Sequence, residues 1–296
     1  MIFRHSPLLR SALAILALLV LLAACGQHRV APVTALPVHF AQVEDVRLAY
    51  RTIGTGPPLL MIMGYAGTMD IWDATLVDRL AKTRRVILFD NRSMGHSSAS
   101  DAPATMERMA RDTLGLIQAL NLDRPDVLGW SMGSIIAQEM ALARPDAVGK
   151  LVLYGSACQP GPVLDALDRM DAMSHEQLLA SLFPAEWVRR NPGVYGRLPV
   201  PALPSSPEAM ARQRQGMRQW PGTADRLPEL RGPVLLLVGE EDNVTPVAQS
   251  VTMAALIRGA WLVRFDGGGH WLMYQNPDAM AEVVETFLGT RQDLLD

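Results

Sequence analysis

Val127-Leu128-Gly129-Trp130-Ser131-Met132-Gly133-Ser134-Ile135-Ile136 is the stretch on which the reading of this chain turns. Val127–Trp130 is a short apolar run of the kind that forms a strand buried on both faces. Met132–Ala143 follows with helical character, and Ser131 alone stands between them. A serine on so sharp a strand-to-helix turn has strained dihedrals, so the residues two before and two after it must lack bulk. Gly129 and Gly133 occupy those places. The turn lifts the hydroxyl above the sheet, beside the free N–H groups and positive dipole end of the following helix. The bland alternative is a Gly-flanked serine that merely caps a helix.

The alternation continues outward from this turn. Val46–Ile53, Leu59–Met63, Val86–Phe89, Leu151–Tyr154, Val234–Val238 and Trp261–Phe265 read as strands. Asp70–Ala81, Thr105–Leu120 and Ala279–Leu288 read as helices. Strands separated by helices require crossovers, which predicts an α/β fold: a mostly parallel twisted sheet with helices on both faces. Between residues 156 and 231 the strand pattern stops. Ser174-His175-Glu176-Gln177 offers a helix start with a capping box. Leu198–Pro207 holds four prolines, which neither a continuous helix nor a central strand accepts. Residues 156–231 therefore read as a helical cap inserted between core segments 38–155 and 232–296.

A serine nucleophile needs a base, and the base needs an orienting acid. The chain has six histidines. His5, His28 and His39 lie near the N-terminus and His175 in the cap segment. His270 follows Gly267-Gly268-Gly269 directly after the last strand and is the candidate base. His96, in the loop Asp90–Ser97, is the alternative. Val234–Val238 ends in Gly239-Glu240-Glu241-Asp242, which puts Asp242 at the sheet edge shared by Ser131 and His270, where open parallel sheets bind ligands. Glu240 and Glu241 read as a solvated acidic turn.

Ser131, Asp242 and His270 stand in the chain order of the α/β-hydrolases. With the elbow, the Gly239…Asp242…Pro246 turn, Gly269-His270 and the Asp90…Arg92…Gly95…Ser97 loop, essentially the whole chain beyond its N-terminal leader resembles an α/β-hydrolase-fold protein with a helical cap. The resemblance implies an oxyanion hole made by two backbone N–H groups, those of Met132 and of Tyr65 in the loop Met63-Gly64-Tyr65-Ala66-Gly67. Two positions depart from the family pattern: Met63-Gly64 replaces His-Gly, and Ser93 replaces Gly. Serine at the elbow argues against haloalkane dehalogenase and epoxide hydrolase chemistry, which uses Asp there.

Composition narrows the partners. The chain has 296 residues, 49% apolar, with a net charge of −3. That excludes wholesale disorder and a basic nucleic-acid-binding face. Two cysteines, Cys25 and Cys158, exclude a disulfide framework and a Cys-based zinc cluster. No His/Cys/acid spacing fits a metal site, and the chemistry expected of a Ser-His-Asp triad needs no cofactor. At the N-terminus Arg4 and Arg10 precede Ala12–Ala24, 13 uninterrupted apolar residues. A spanning helix needs roughly 20, so residues 1–24 read as a secretory signal peptide. Leu22-Ala23-Ala24-Cys25 resembles the bacterial lipoprotein box. That implies a lipidated Cys25 at the mature N-terminus and a membrane anchor, followed by a tether over 25–37. Gly26 then implies the outer membrane, facing the periplasm, in a Gram-negative cell.

The expected function is hydrolysis of a small to medium apolar carboxylic ester through an acyl-enzyme. Met61, Met63, Met94, Met132 and Met273, beside Trp130, would suit a flexible apolar acyl pocket or simply fill the core. One alternative is the same triad on another bond: an aminopeptidase, a C–C hydrolase or a cofactor-free perhydrolase. Asp165, Asp168 and Asp171 would give a peptidase its amine-binding cluster. A non-catalytic envelope binding protein is the third reading.

Overall fold

A computed structural model describes residues 30–291. The expected signal peptide, Cys25 and the first part of the tether lie outside the described residues. Within the rest of the stretch read as a tether, Val33 is buried and Leu36 O accepts a bond from the Arg51 guanidinium, so these residues belong to the packed domain. Among the described residues no helix is long and apolar enough to cross a membrane.

Eight strands form one sheet: β1 His39–Val43, β2 Val46–Ile53, β3 Pro58–Ile62, β4 Arg85–Phe89, β5 Asp126–Trp130, β6 Leu151–Tyr154, β7 Val234–Gly239 and β8 Trp261–Phe265. Their order is β1-β2-β4-β3-β5-β6-β7-β8. The pairings β1·β2 and β2·β4 are antiparallel, and every pairing from β4 to β8 is parallel. Among the described residues the helices are α1 Ala74–Ala81, α2 Met106–Ala119, α3 Met132–Ala143, α4 Pro160–Asp171, α5 His175–Ser181, α6 Ala185–Arg190, α7 Pro207–Gln219, α8 Val247–Leu256, α9 Leu272–Gln275 and α10 Pro277–Gly289.

The inner strands β3 to β7 are apolar almost throughout because both faces are covered, whereas β1 and β8 at the sheet edges are largely exposed or half-buried. Side chains of the inner strands still alternate. Leu60, Ile62, Val127 and Leu236 face the core under α2 and α3, while Leu59, Met61, Leu128 and Leu235 face the one under α1 and α10. Local chemistry sets the helix starts. Asp73 accepts Leu76 N–H at the start of α1, and Thr105 accepts Arg108 N–H at the start of α2. The segment between β6 and β7 carries α4 to α7 and no strand. Ser174 and Gln177 form the expected capping box at α5.

Two features of this frame bear on the site. The loop after β4 is locked by Asp90, whose carboxylate accepts Met69 N–H at 2.7 Å and His96 N–H at 2.8 Å. Burial pushes that carboxyl up to about 6, against the lowering effect of the two amides. Arg92 in the same loop reaches both oxygens of buried Asp112, at 2.6 and 2.8 Å. Ser93 sits at φ 63, a left-handed position that explains why glycine is the usual residue there. The second feature is Cys158. It is buried, and burial pushes its thiol up to about 11, which makes it inert as a nucleophile.

Candidate active site

Ser131 joins β5 to α3 with φ 54 and ψ −122, a conformation costly for any residue with a side chain. The glycine requirement is steric. A Cβ at Gly129 would stand 2.4 Å from Gly133 O, and one at Gly133 would stand 2.1 Å from Ile62 O. The elbow is held from below by Ser131 N–H donating to Tyr154 O at 2.9 Å.

The structure brings Ser131, His270 and Asp242 together. His270 Nε2 lies 3.0 Å from Ser131 Oγ, and His270 Nδ1 lies 2.8 Å from Asp242 Oδ2. Asp242 is saturated. Its Oδ1 accepts Val244 N–H and Thr245 N–H, each at 2.8 Å, and its Oδ2 accepts Thr245 Oγ1–H at 2.8 Å. An ionised carboxylate has only acceptors. It therefore accepts a hydrogen bond from Nδ1–H, which keeps the proton on Nδ1 and leaves Nε2 as the acceptor for the serine hydroxyl. His96 gives its backbone N–H to Asp90 and does not line the pocket. Glu240 pairs with Arg264.

Three further residues fix the histidine, and spacing in the sequence did not single them out. Tyr154 Oη donates to His270 O at 2.7 Å and accepts Met273 N–H at 3.2 Å. Complete burial holds this phenol well above its ordinary value, so it stays a donor. Trp130 Nε1 also donates to His270 O, at 3.2 Å. Thr245 Oγ1 touches both Asp242 Oδ2 and His270 Nδ1. Gly155, at φ 55 directly after β6, keeps space for the imidazole: a Cβ there would lie 3.3 Å from His270 Cε1. The signal for Gly155 was available, since a glycine closes a buried strand at the active edge.

The loop Met63–Gly67 abuts the elbow. A Cβ on Gly64 would stand 3.1 Å from Ser131 Cβ. Met132 opens α3, so its N–H has no carbonyl one turn earlier to pair with. In the loop, Gly67 N–H donates to Gly64 O and Ala66 N–H to Gln213 Oε1 at 3.0 Å. Among the described residues Tyr65 N–H has no protein acceptor. Met132 and Tyr65 both line the pocket beside Ser131, as candidate oxyanion donors. Gln213, fully buried on α7, is thus the residue by which the inserted helices hold this loop.

That contact is testable. Gln213→Met should lower kcat about 10-fold on a p-nitrophenyl ester, the worth of roughly one hydrogen bond. KM should change little, because the oxyanion exists only in the transition state. Equal kcat in Gln213→Met and the parent protein would refute this positioning role.

The pocket above Ser131 is apolar and two-lobed. One lobe, about 40 Å³, is lined by Ile135, Val163, Leu167 and Met217. The other, about 210 Å³, is lined by Trp130, Leu178, Leu179, Leu182, His270 and Trp271. Tyr65, Ser131, Met170 and Val244 belong to both. Of the two readings open for these methionines, core filling holds for four. Met61, Met63, Met94 and Met273 are fully buried and line neither lobe; only Met132 does so, with Met170 and Met217 of the inserted helices. Asp168 and Asp171 form ion pairs with Arg218 and Arg214, and neither they nor Asp165 lines the pocket. Among the described residues no group of His, Cys, Asp and Glu is placed to hold a metal.

A parallel sheet that presents a serine elbow beneath a histidine, with helices over the opening, defines the class of α/β-fold hydrolases. Residues 59–283 match the α/β hydrolase family, and the chain belongs to that family. It is similar to 2-hydroxymuconate semialdehyde hydrolase from Pseudomonas sp. strain CF600, 29% identical over 82% of this chain and 90% of the relative. It also resembles the solved structure of a thermophilic esterase from Thermogutta terrifontis, with a TM-score of 0.75 and 26% identity, covering 86% of this chain and 98% of that one. The enol-lactonase from Burkholderia xenovorans LB400 gives a TM-score of 0.75 and 25% identity, over 85% of this chain and 100% of that one.

Proposed function

We propose that this hydrolase cleaves neutral carboxylic esters, with Ser131 as nucleophile, His270 as base and Asp242 as the orienting acid. The observation that carries the reading is the unbroken relay from Asp242 to His270 to Ser131, at 2.8 and 3.0 Å, opening into an apolar pocket. Ser131 Oγ adds to the ester carbonyl carbon as His270 Nε2 takes its proton. The oxyanion is held by the N–H groups of Tyr65 and Met132, each contributing on the order of 3–4 kcal/mol. His270 then protonates the leaving alkoxide oxygen, and the acyl-enzyme remains. Water then adds to the acyl carbon as His270 Nε2 takes its proton, and His270 gives that proton to Ser131 Oγ as the C–Oγ bond breaks and the acid leaves.

The relatives divide between bond types, so the lining must favour one. An aminopeptidase needs an anion for the free amine, and the acidic residues nearest in sequence, Asp168 and Asp171, are spent on arginines outside the pocket. An esterase and an enol-lactonase among the structural relatives favour a C–O acyl bond. Hydrolysis of p-nitrophenyl acetate and butyrate, set beside amino-acyl anilides and with fluorophosphonate labelling of Ser131, is the test. Labelling together with ester turnover is expected. Labelling with anilide turnover alone would move the reading to a peptidase, and failure to label the folded protein would reject serine chemistry.

We also propose that the protein is exported and lipid-anchored, a reading supported by Arg4 and Arg10 before the apolar run Ala12–Ala24 and by the Leu22–Cys25 sequence. In a bacterial host Cys25→Ala should shift the protein from the membrane fraction to the soluble fraction, and an unchanged distribution would reject the anchor.

A further inference from the structure

We infer that the two lobes divide the substrate by size: a short acyl group enters the small lobe and a bulky apolar alcohol enters the large one. The inference rests on the esterase reading above and adds which side of the ester each lobe receives.

The assignment follows from the geometry of one carbon. In the tetrahedral intermediate that carbon bears Ser131 Oγ, the oxyanion, the leaving oxygen and the acyl chain. The oxyanion goes to Tyr65 and Met132. The leaving oxygen must receive its proton from His270 Nε2, so it points to the histidine side. His270 and Trp271 line the large lobe and not the small one. The alcohol therefore extends into the large lobe. The acyl chain takes the remaining direction, into the lobe beyond Met132 that Ile135, Leu167 and Met217 surround.

Volume then sets the preference. A water-sized group occupies on the order of 10–15 Å³ of such space. A lobe of about 40 Å³ thus accepts roughly three such groups. The alcohol lobe, about 210 Å³, holds a chain or ring several times larger. No Asp, Glu, Lys or Arg lines either lobe, so a charged group on either arm would be desolvated without a partner. The selected substrate is a neutral ester of a short acid, with an apolar alcohol of about six or more carbons filling the larger space.

The test is a two-way panel on the full protein. Acyl length is varied in p-nitrophenyl acetate, butyrate and octanoate, and alcohol length in methyl, butyl and hexyl acetate. Octanoate should fall about 10-fold or more below butyrate in kcat/KM, because the small lobe is already filled. Hexyl acetate should exceed methyl acetate about 10-fold or more, as the added methylenes are buried. Leu167→Ala and, separately, Met217→Ala should raise the octanoate-to-butyrate ratio without altering the hexyl-to-methyl ratio. Leu179→Trp should lower the hexyl-to-methyl ratio alone. Ester turnover with both preferences reversed, or octanoate use that answers to Leu179 and not to Leu167 or Met217, overturns the lobe assignment while leaving the esterase reading intact. No turnover of any ester by protein that labels with fluorophosphonate overturns the esterase reading, and the lobe assignment with it.

Discussion

Ser131→Ala should lower kcat/KM for p-nitrophenyl butyrate by about 10⁴–10⁶-fold, leaving only what pocket binding and the oxyanion donors supply. The argument for so large an effect is that the Oγ is the atom that bonds to carbon, and the relay behind it has nothing else to activate. The fold should survive, because the side-chain oxygen makes a single contact, to His270 Nε2 at 3.0 Å. Alanine keeps the strained φ of 54. Glycine does not pay for it, so Ser131→Gly should be equally inactive yet more stable, by about 1 kcal/mol or more. Thermal unfolding of the three proteins, read beside ester turnover, checks both halves. A Ser131→Ala protein that unfolds far below the parent would mean the serine holds structure, and one that retains ester turnover would remove it from the chemistry.

The proximity of Ser131, Asp242 and His270 could be read from sequence because topology and spacing act together. A buried strand that ends at a glycine or an acid leaves its next residues at one edge of a parallel sheet. Asp242 meets that rule after Gly239; Ser131 directly follows Trp130 at the end of β5, and His270 follows the glycine loop after the half-exposed β8, at the same edge although 139 residues from Ser131. Other elements carried weaker signals. β1 was missed because it is an edge strand: of His39–Val43, only Val43 is buried. α8 was missed because its buried residues are Gln249, Ser250 and Met253, so its inner face is half polar and shows no apolar stripe. The pocket was the least legible part. Its walls come from α4, α5 and α7, and helical spacing does not say which face of an inserted helix meets a distant serine. For methionines near the sheet edge the sequence leaves pocket and core both open, and Met61 and Met63 point into the core. Tyr154 shows the same limit. It reads as the end of an apolar run, yet its hydroxyl anchors His270 from 116 residues away.

Asp242→Asn should be nearly as damaging as loss of the nucleophile, although it replaces one oxygen by nitrogen. The surroundings decide which way the new amide faces. Oδ1 accepts two backbone N–H groups, from Val244 and Thr245, each at 2.8 Å. An NH₂ group cannot take that place, so the amide oxygen stays there and the NH₂ is forced to the Oδ2 position. There it faces His270 Nδ1 and Thr245 Oγ1. The threonine hydroxyl can rotate to accept one hydrogen. The imidazole must accept the other at Nδ1, which moves its own proton to Nε2. The ring then presents a donor to Ser131 Oγ in place of an acceptor, and general-base catalysis is lost with the geometry intact. The expected drop in kcat is about 10⁴-fold, with KM little changed. Fluorophosphonate labelling should slow in parallel, because it draws on the same deprotonation. Thr245→Val in the same background should not restore activity, since the amide still donates to Nδ1 without the hydroxyl. An Asp242→Asn protein that acylates at the parent rate would show that another group sets the tautomer of His270.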